Sequence, residues 1–458
     1  MHYLSRILPA AVALLATLAA CQSTRPDAEE PPAVVRLEPD ADDGSIELAE
    51  GFRALVVADT LGRVRHLAVR ENGDVYAALR KPHAGRGTVA LRDTTGDGRA
   101  DRIEYFTDVL GTGIDLHKGH LYRSSDSTVL RYALRDGALL PDTTPELIAG
   151  GFIFAPQHEA KSITFDDDGH LYVNVGAPAN ACQDPPRQPG AAGQDPCPLL
   201  ERFGGIWRFR DDQPGQMQEA DGYRYATGIR NAVALDWNHH AGALYALQHG
   251  RDQLHALWGD RFTKEQAVEL PGEEFLLVHD GADFGWPYCY YDQQVGEKKL
   301  APEYGGDGRI TGRCDSADRP VLAFPGHWGP NDVLFYEGDQ FPERYRRGAF
   351  VAFHGSWNRG PRPQQGYEVI FVPFEGNQPT GEWEVFAGGF KGADTIYSTS
   401  EAEYRPMGLA EGPDGSLYIA DSQRGRVWRV FYQPEAASDR TAHRPATVQN
   451  ASLSPYTR

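Results

Sequence analysis

The stretch KSITFDDDGHLYVNV (Lys161–Val175) reads as two short strands, Ser162–Phe165 and Leu171–Val175, joined by a tight turn at Asp168-Gly169. Alternating apolar residues on either side of a Gly-containing turn are the signature of a β-hairpin. The pattern returns five more times. RHLAVRENGDVYAAL starts at Arg65, GIDLHKGHLYRSS at Gly113, NAVALDWNHHAGALYAL at Asn231, NDVLFYEGDQFPERYRRGAFVAF at Asn331 and PMGLAEGPDGSLYIADS at Pro406. Beyond the N-terminal leader no segment sustains a 3.6-residue apolar period, and only short stretches such as RDQLHALWGDRF (Arg251–Phe262) have helical character. Six such hairpins in an all-β chain predict a six-bladed β-propeller, placed at residues 46–432. A pair of β-sandwiches would give no reason for one hairpin type to recur six times.

The chain of 458 residues, 41% hydrophobic and 11% aromatic, is long enough for a large core. Its net charge of −19, with no offsetting basic stripe, argues against nucleic acid or anionic lipid as a partner. MHYLSRILPAAVALLATLAAC has Arg6 ahead of an apolar run, Ile7–Ala20, which is the form of a signal peptide over residues 1–20. LAAC (Leu18–Cys21) resembles a bacterial lipoprotein processing box, so Cys21 is the expected lipid anchor and residues 21–45 an acidic tether. A plain signal peptide with an incidental cysteine is the alternative. Gln22 after the cysteine points to the outer membrane, and so to a periplasm-facing protein of the bacterial cell envelope. The polar tail, residues 433–458, is expected to be disordered.

Four further cysteines remain: Cys182, Cys197, Cys289 and Cys314. In an exported chain an even number suggests two disulfides. Sequence proximity favours Cys182–Cys197 and Cys289–Cys314 among the three connectivities. There is no C-x-x-C or C-x-x-C-H, so neither a structural zinc site nor covalent haem is expected.

In a propeller the residues just before the innermost strands meet at one mouth of the central channel. Here they are Arg65, Thr112, His158 with Lys161, Arg230 with Asn231, His327 with Asn331, and Arg405. Salt bridges closing the channel would explain any one of them. Together, on a strongly acidic protein, they suggest a site for a small polyanion, because arginine forks pair with carboxylates bidentately.

The motifs at these positions resemble those of the pyrroloquinoline quinone (PQQ)-dependent soluble aldose dehydrogenases, and more closely their sorbosone dehydrogenase-like branch. They are QHEAKSITFDDDGHLYVNVG, GIRNAVALDW, HGRDQL, GADFGWPYCYYD, HWGPNDVLFY, HGSWNRGPRPQQGYEV and RPMGLAEGPDGSLYIADS, spread over nearly all of residues 50–432. The resemblance implies PQQ and calcium as cofactors, an aldose or sorbosone-type sugar as substrate, and an external electron acceptor, either a quinone or a cytochrome. It implies His158 as general base toward the sugar hydroxyl. It implies Arg230 at the quinone carbonyl, with Asn231 adding a hydrogen bond. Gly250 and Arg251, in HGRD, match the consecutive backbone carbonyls that hold calcium, and Arg405 matches an arginine over the cofactor carboxylates, joined by Lys161 and Arg65. The glucose-oxidising members carry a cofactor-binding lysine in the strand that here reads FVAFHGSWNRG (Phe350–Gly360). This chain has His354, Ser356 and Arg359 instead, with Arg359 the expected replacement and His354 the other candidate. The chemistry is consistent with these assignments. A tricarboxylate needs cations, calcium prefers oxygen ligands, and a neutral histidine suits proton removal near pH 7.

DTTGDGRADRIE sets Asp93, Thr95, Asp97, Asp101 and Glu104 at EF-hand ligand spacing, with Gly98 at the sixth position. It reads equally as a second calcium loop or as an Asp/Gly-rich turn. Two Gly/Pro-rich insertions, PANACQDPPRQPGAAGQDPCPLLERFG after the His158 hairpin and CYYDQQVGEKKLAPEYGGDGRITGRC before the fifth, are expected to shape access to the mouth. A calcium-dependent propeller lactonase or hydrolase and a non-catalytic carbohydrate-binding propeller are the competing functions.

Overall fold

The computed structural model describes residues 37–434; the leader, the expected anchor Cys21, most of the tether and nearly all of the tail lie outside the described residues. Six sheets of four or five strands form a six-bladed β-propeller. The innermost strands are Val64–Val69, Ile114–His117, Ile163–Phe165, Ala232–Asn238, Pro330–Phe335 and Pro406–Glu411, one from each hairpin repeat, and they number the blades 1 to 6. Each packs against the next around the ring, the last against the first.

The repeat is apolar on both faces because each blade is covered on both faces. In HLYVNV of blade 3, Leu171, Val173 and Val175 enter a cluster with Ile148 and Phe152 of the blade 2 side. Tyr172, pointing the other way, packs with Leu235 and Ala246 of blade 4. Polar groups bridge the inner strands. The Asp236 carboxylate accepts from Phe335 N at 2.9 Å, and that of Asp332 accepts from Leu409 N at 2.8 Å.

The ring closes with the N-terminal strand Phe52–Ala58, which pairs antiparallel with Val427–Tyr432 as the outer strand of blade 6. Phe52 sits in an aromatic wedge between blades 5 and 6, with ring centroids 4.8 Å from Phe341 and Phe386 and 5.1 Å from Tyr345. The segment just before it, read from the sequence as the end of the tether, is docked on blade 6. Asp40 accepts from Val56 N at 2.7 Å, Asp43 accepts from Ala54 N at 2.8 Å, and Gly44 O accepts from the buried Trp428 Nε1 at 2.9 Å.

Both disulfides form as sequence proximity favours, Cys182–Cys197 and Cys289–Cys314. A helical turn, Leu254–Leu257, lies inside the stretch expected to have one. A second helix, Lys264–Glu269, was not anticipated, although its capping box was legible: Thr263 caps Gln266 N and Gln266 returns to Thr263 N.

Because Phe52 lies on the closing strand and its ring is enclosed by aromatics, Phe52→Ala should cost about 3–5 kcal/mol, the usual loss for a buried aromatic. Urea unfolding of the two proteins measures it. A loss below about 1 kcal/mol would mean that closure does not rest on this wedge.

Candidate active site

A cavity of about 320 Å³ opens at the mouth of the channel and is lined by His158, Arg230, His327, Asn331 and Arg405 together with Gly250. Five of the residues placed by the repeat thus meet, each carried by the segment entering an innermost strand or by its first turn. His158 adopts a left-handed backbone, φ +57°. It packs on Gly176, where a Cβ would come within 2.7 Å of the His158 carbonyl oxygen and of Asn231 Oδ1, so a larger residue there would displace it.

The hydrogen bonding of His158 fixes its tautomer. Nδ1–H donates to Ala177 O at 2.6 Å, which leaves Nε2 with a free lone pair. Burial and the neighbouring Arg230 hold the imidazole well below the ordinary histidine value of 6.5, so it is neutral at pH 7. His327 differs. Its Nε2 donates to Ala267 O at 2.9 Å and its Nδ1 accepts from Asn358 Nδ2 at 3.3 Å, so both nitrogens are used.

Asp252 was missed in the sequence, although it is the last residue of HGRD. Its Oδ2 accepts from Arg230 Nη2 at 2.8 Å and its Oδ1 from Asn358 Nδ2 at 3.1 Å. Burial pushes its carboxyl up, but Arg230, His327 and Arg187 outweigh that and hold it at about 2. Arg187 comes from the first insertion, inside the Cys182–Cys197 loop, and reaches Asp252 Oδ2 at 3.4 Å and Gln157 Oε1 at 3.2 Å. Glu273, also missed, accepts from Gly250 N at 2.9 Å and Gly329 N at 3.3 Å, and burial raises its carboxyl to about 8.

Gly250 lies at the cavity, and its carbonyl accepts from Arg230 Nη1 at 3.0 Å. The Arg251 side chain turns away to the fully buried Glu303, with one contact at 2.8 Å; Trp258 Nε1 donates to the same carboxylate at 2.8 Å. Only the backbone of Arg251 is therefore left for the site.

Arg405 spans two carbonyls, His354 O and Gly355 O, each at 2.9 Å. Arg65 and Lys161 are not among the residues that line the cavity. Arg65 Nε donates to Thr112 Oγ1 at 3.1 Å, and burial together with Arg80 lowers its guanidinium to about 9. Lys161 is buried, donates to Glu159 O at 3.0 Å, and is lowered by burial to about 8. Asn231 is buried with its Oδ1 unpartnered.

One expectation needs correction, and one stretch has two readings in the sequence. Arg359 does not reach the cavity, because its guanidinium is tied to Glu269 at 2.8 Å and Val268 O at 3.0 Å. Of the three residues offered by Phe350–Gly360, His354 is the one that lines the cavity, with Nε2 on Ser422 Oγ at 2.6 Å; Ser356 Oγ is spent on Gln364. The Asp93–Glu104 stretch folds as a self-satisfied turn. Asp93 accepts from Gly96 N and Gly98 N at 2.7 and 2.6 Å and from Thr95 Oγ1 at 3.1 Å, Asp97 accepts from Arg99 N at 2.9 Å, Asp101 accepts from Thr94 N at 2.8 Å, and Glu104 pairs with Arg102. Among the described residues no group of three or more His, Cys, Asp or Glu is placed to hold a metal ion.

A family model described as TrAA12-like matches residues 46–433. A curated PQQ-dependent pyranose dehydrogenase of Coprinopsis cinerea is 22% identical over 428 residues, covering 84% of this chain and 54% of that protein. The chain thus spans about half the length of the curated relatives it matches. The holo PQQ domain of C. cinerea pyranose dehydrogenase superposes with TM-score 0.69 at 20% identity, over 84% of this chain and 97% of that one. The calcium structure of Trichoderma reesei carbohydrate-active enzyme family AA12 gives 0.68 at 18%, over 85% and 97%. At these identities the structures show a shared fold.

Removing the Arg251 side chain while keeping its backbone separates its two roles. Arg251→Ala leaves Glu303 buried with only Trp258 as a side-chain partner and should cost about 3–5 kcal/mol, as breaking a buried pair does. Chemical denaturation tests this, and an unchanged midpoint would show that the pair carries no stability.

Proposed function

The chain belongs to the TrAA12-like family, and from that premise we propose that it is a PQQ-dependent dehydrogenase oxidising an aldose or sorbosone-type sugar. The observation that carries this reading is the free Nε2 of a neutral His158 in a cavity shared with Arg230 and Arg405. The names of its relatives support the same chemistry.

The residues present fit the cofactor. Arg230 Nε, Asn231 Oδ1 and Asn331 Oδ1 are buried without partners, which is costly unless a ligand supplies them. Arg230, Asn231 and Arg405 would hold PQQ, with His354 at the wall and Arg65 and Lys161 adding positive charge. The carbonyls of Gly250 and Arg251 would hold calcium, whose preference is for oxygen. Bound PQQ would supply the quinone that accepts hydride from the sugar. His158 Nε2 takes the proton of the reacting hydroxyl, while its Nδ1–H bond to Ala177 O keeps the ring oriented. Asp252 fixes the Arg230 fork through the 2.8 Å ion pair. An external quinone or cytochrome would then receive the electrons. Cys21, if lipidated, would anchor the protein to the outer membrane; Cys21→Ser should release it to the soluble fraction.

The lactonase reading gains little from the mouth. Its two carboxylates, Asp252 and Glu273, are already engaged by Arg230, Asn358 and backbone amides.

Reconstitution with PQQ and calcium should confer dye-linked sugar oxidation, and chelation during reconstitution should prevent it. His158→Ala should keep PQQ binding, seen in cofactor absorbance, and slow single-turnover reduction by about 10²–10⁴-fold. Arg405→Ala should weaken PQQ binding first. Because the folded His158 titrates well below 6.5, its base form persists as pH falls, so the acid limb of the oxidation rate should lie below the ordinary histidine range. Lactone hydrolysis without PQQ binding would overturn the reading.

A further inference from the structure

Trp357 lines the cavity and is nevertheless 59% exposed. Among the described residues its ring makes no aromatic contact and its Nε1 no hydrogen bond. The other tryptophans are buried or half-buried. Nothing in the packing of the protein requires an indole at this position.

The turn that carries it is held firmly on both sides. Ser356 is fully buried; its N donates to Gln365 O at 2.9 Å and its Oγ to Gln364 Oε1 at 2.7 Å. Asn358 is tied to Asp252 and His327 within the site, and Arg359 is buried against Glu269. The indole is therefore projected by a rigid turn at the cavity rim, as a preformed aromatic contact is.

A second exposed ring is carried by backbone tied to this turn. Tyr397 is 61% exposed, and its side chain is free of hydrogen bonds and ring contacts. Its carbonyl accepts from Gln364 Nε2 at 3.1 Å, and its amide donates to Glu401 at 3.1 Å. One buried side chain, Gln364, thus fixes both the Trp357 turn and the Tyr397 backbone. Amphipathic rings stack on the C–H faces of sugars while their polar edges stay wet. Among the described residues that line the cavity, Trp357 is the one apolar side chain; the others are Arg, His, Asp, Glu, Asn, Gln and Gly, which suit the cofactor and the reacting hydroxyl.

We propose that Trp357 and Tyr397 form an aromatic platform leading out of the mouth, on which the sugar units behind the reacting one stack. The substrate class is then the reducing end of an oligosaccharide rather than a free monosaccharide. This rests on the sugar-dehydrogenase reading for the reaction itself, but the platform can be tested without the cofactor.

The test is calorimetric titration of the cofactor-free full chain with glucose, maltose, maltotriose and cellotriose, followed by kcat/KM for the same sugars on PQQ-loaded protein. At least one trisaccharide should bind about tenfold more tightly than glucose, the scale of one good aromatic contact. Trp357→Ala should remove that difference and Trp357→Phe should retain most of it; Tyr397→Ala should reduce the trisaccharide term alone. Unchanged circular dichroism and an unchanged urea midpoint in Trp357→Ala would exclude a folding defect. Equal affinity for all chain lengths, an advantage that survives Trp357→Ala, or no sugar binding at all would overturn the platform. Chain-length-dependent binding with no PQQ-linked oxidation would leave the platform standing and overturn the dehydrogenase.

Discussion

Every blade of this propeller must bury both of its faces, and the ring must therefore close. That constraint explains why a strand from the beginning of the chain completes the last blade, pairing Phe52–Ala58 with Val427–Tyr432. It also explains the richest aromatic cluster, which sits where blades 5 and 6 meet and receives Phe52. Once closed, the inner strands are held in one register by carboxylate bridges such as Asp332 to Leu409 N. The mouth residues inherit that register. His158, Arg230, His327 and Arg405 converge because closure leaves them no other place.

Within the mouth, Asp252 organises what closure brings together. It receives Arg230 from blade 4, Arg187 from the disulfide-closed insertion and Asn358 from the blade 5 turn. A single carboxylate shared among groups from three parts of the chain sets the direction of the Arg230 fork. It also keeps Asn358 turned toward His327, so that His327 has no nitrogen left and His158 does. The difference between the two histidines, a free ring nitrogen in His158 and none in His327, is thus set by their hydrogen bonds and not by their depth.

The hairpins were legible because strand alternation and Gly turns are local, and a repeated local pattern fixes global position. The residues entering the inner strands were legible for the same reason. Asp252, Glu273 and Arg187 were not, since Asp252 follows a second strand, Glu273 opens a third strand and Arg187 sits in an insertion, none of them at the repeated position before an innermost strand. Side-chain direction was also hidden. Arg359 and Arg251 stand where the resemblance places them, but their guanidinium groups answer to Glu269 and Glu303, far away in sequence. The Asp93–Glu104 spacing shows another limit. Asp and Gly at alternate positions satisfy a turn as readily as a cation, and the backbone amides at Gly96 and Gly98 took the oxygens.

The electrostatics of the mouth set it apart from the rest of an acidic protein. Burial lowers Arg65, Arg230 and Arg405, yet only Arg230 among them is paired with a carboxylate. Arg405 leans on carbonyl oxygens and Arg65 on a hydroxyl. Half-buried cations held this way, with no carboxylate partner, weigh on the fold unless a counter-charge arrives. A polyanion that occupies the mouth would offset that cost, so its binding free energy is partly folding free energy; at a concentration 100-fold above Kd the linkage amounts to about 2.7 kcal/mol. The charges that make this mouth costly to the fold would thus be the ones that a bound anion relieves.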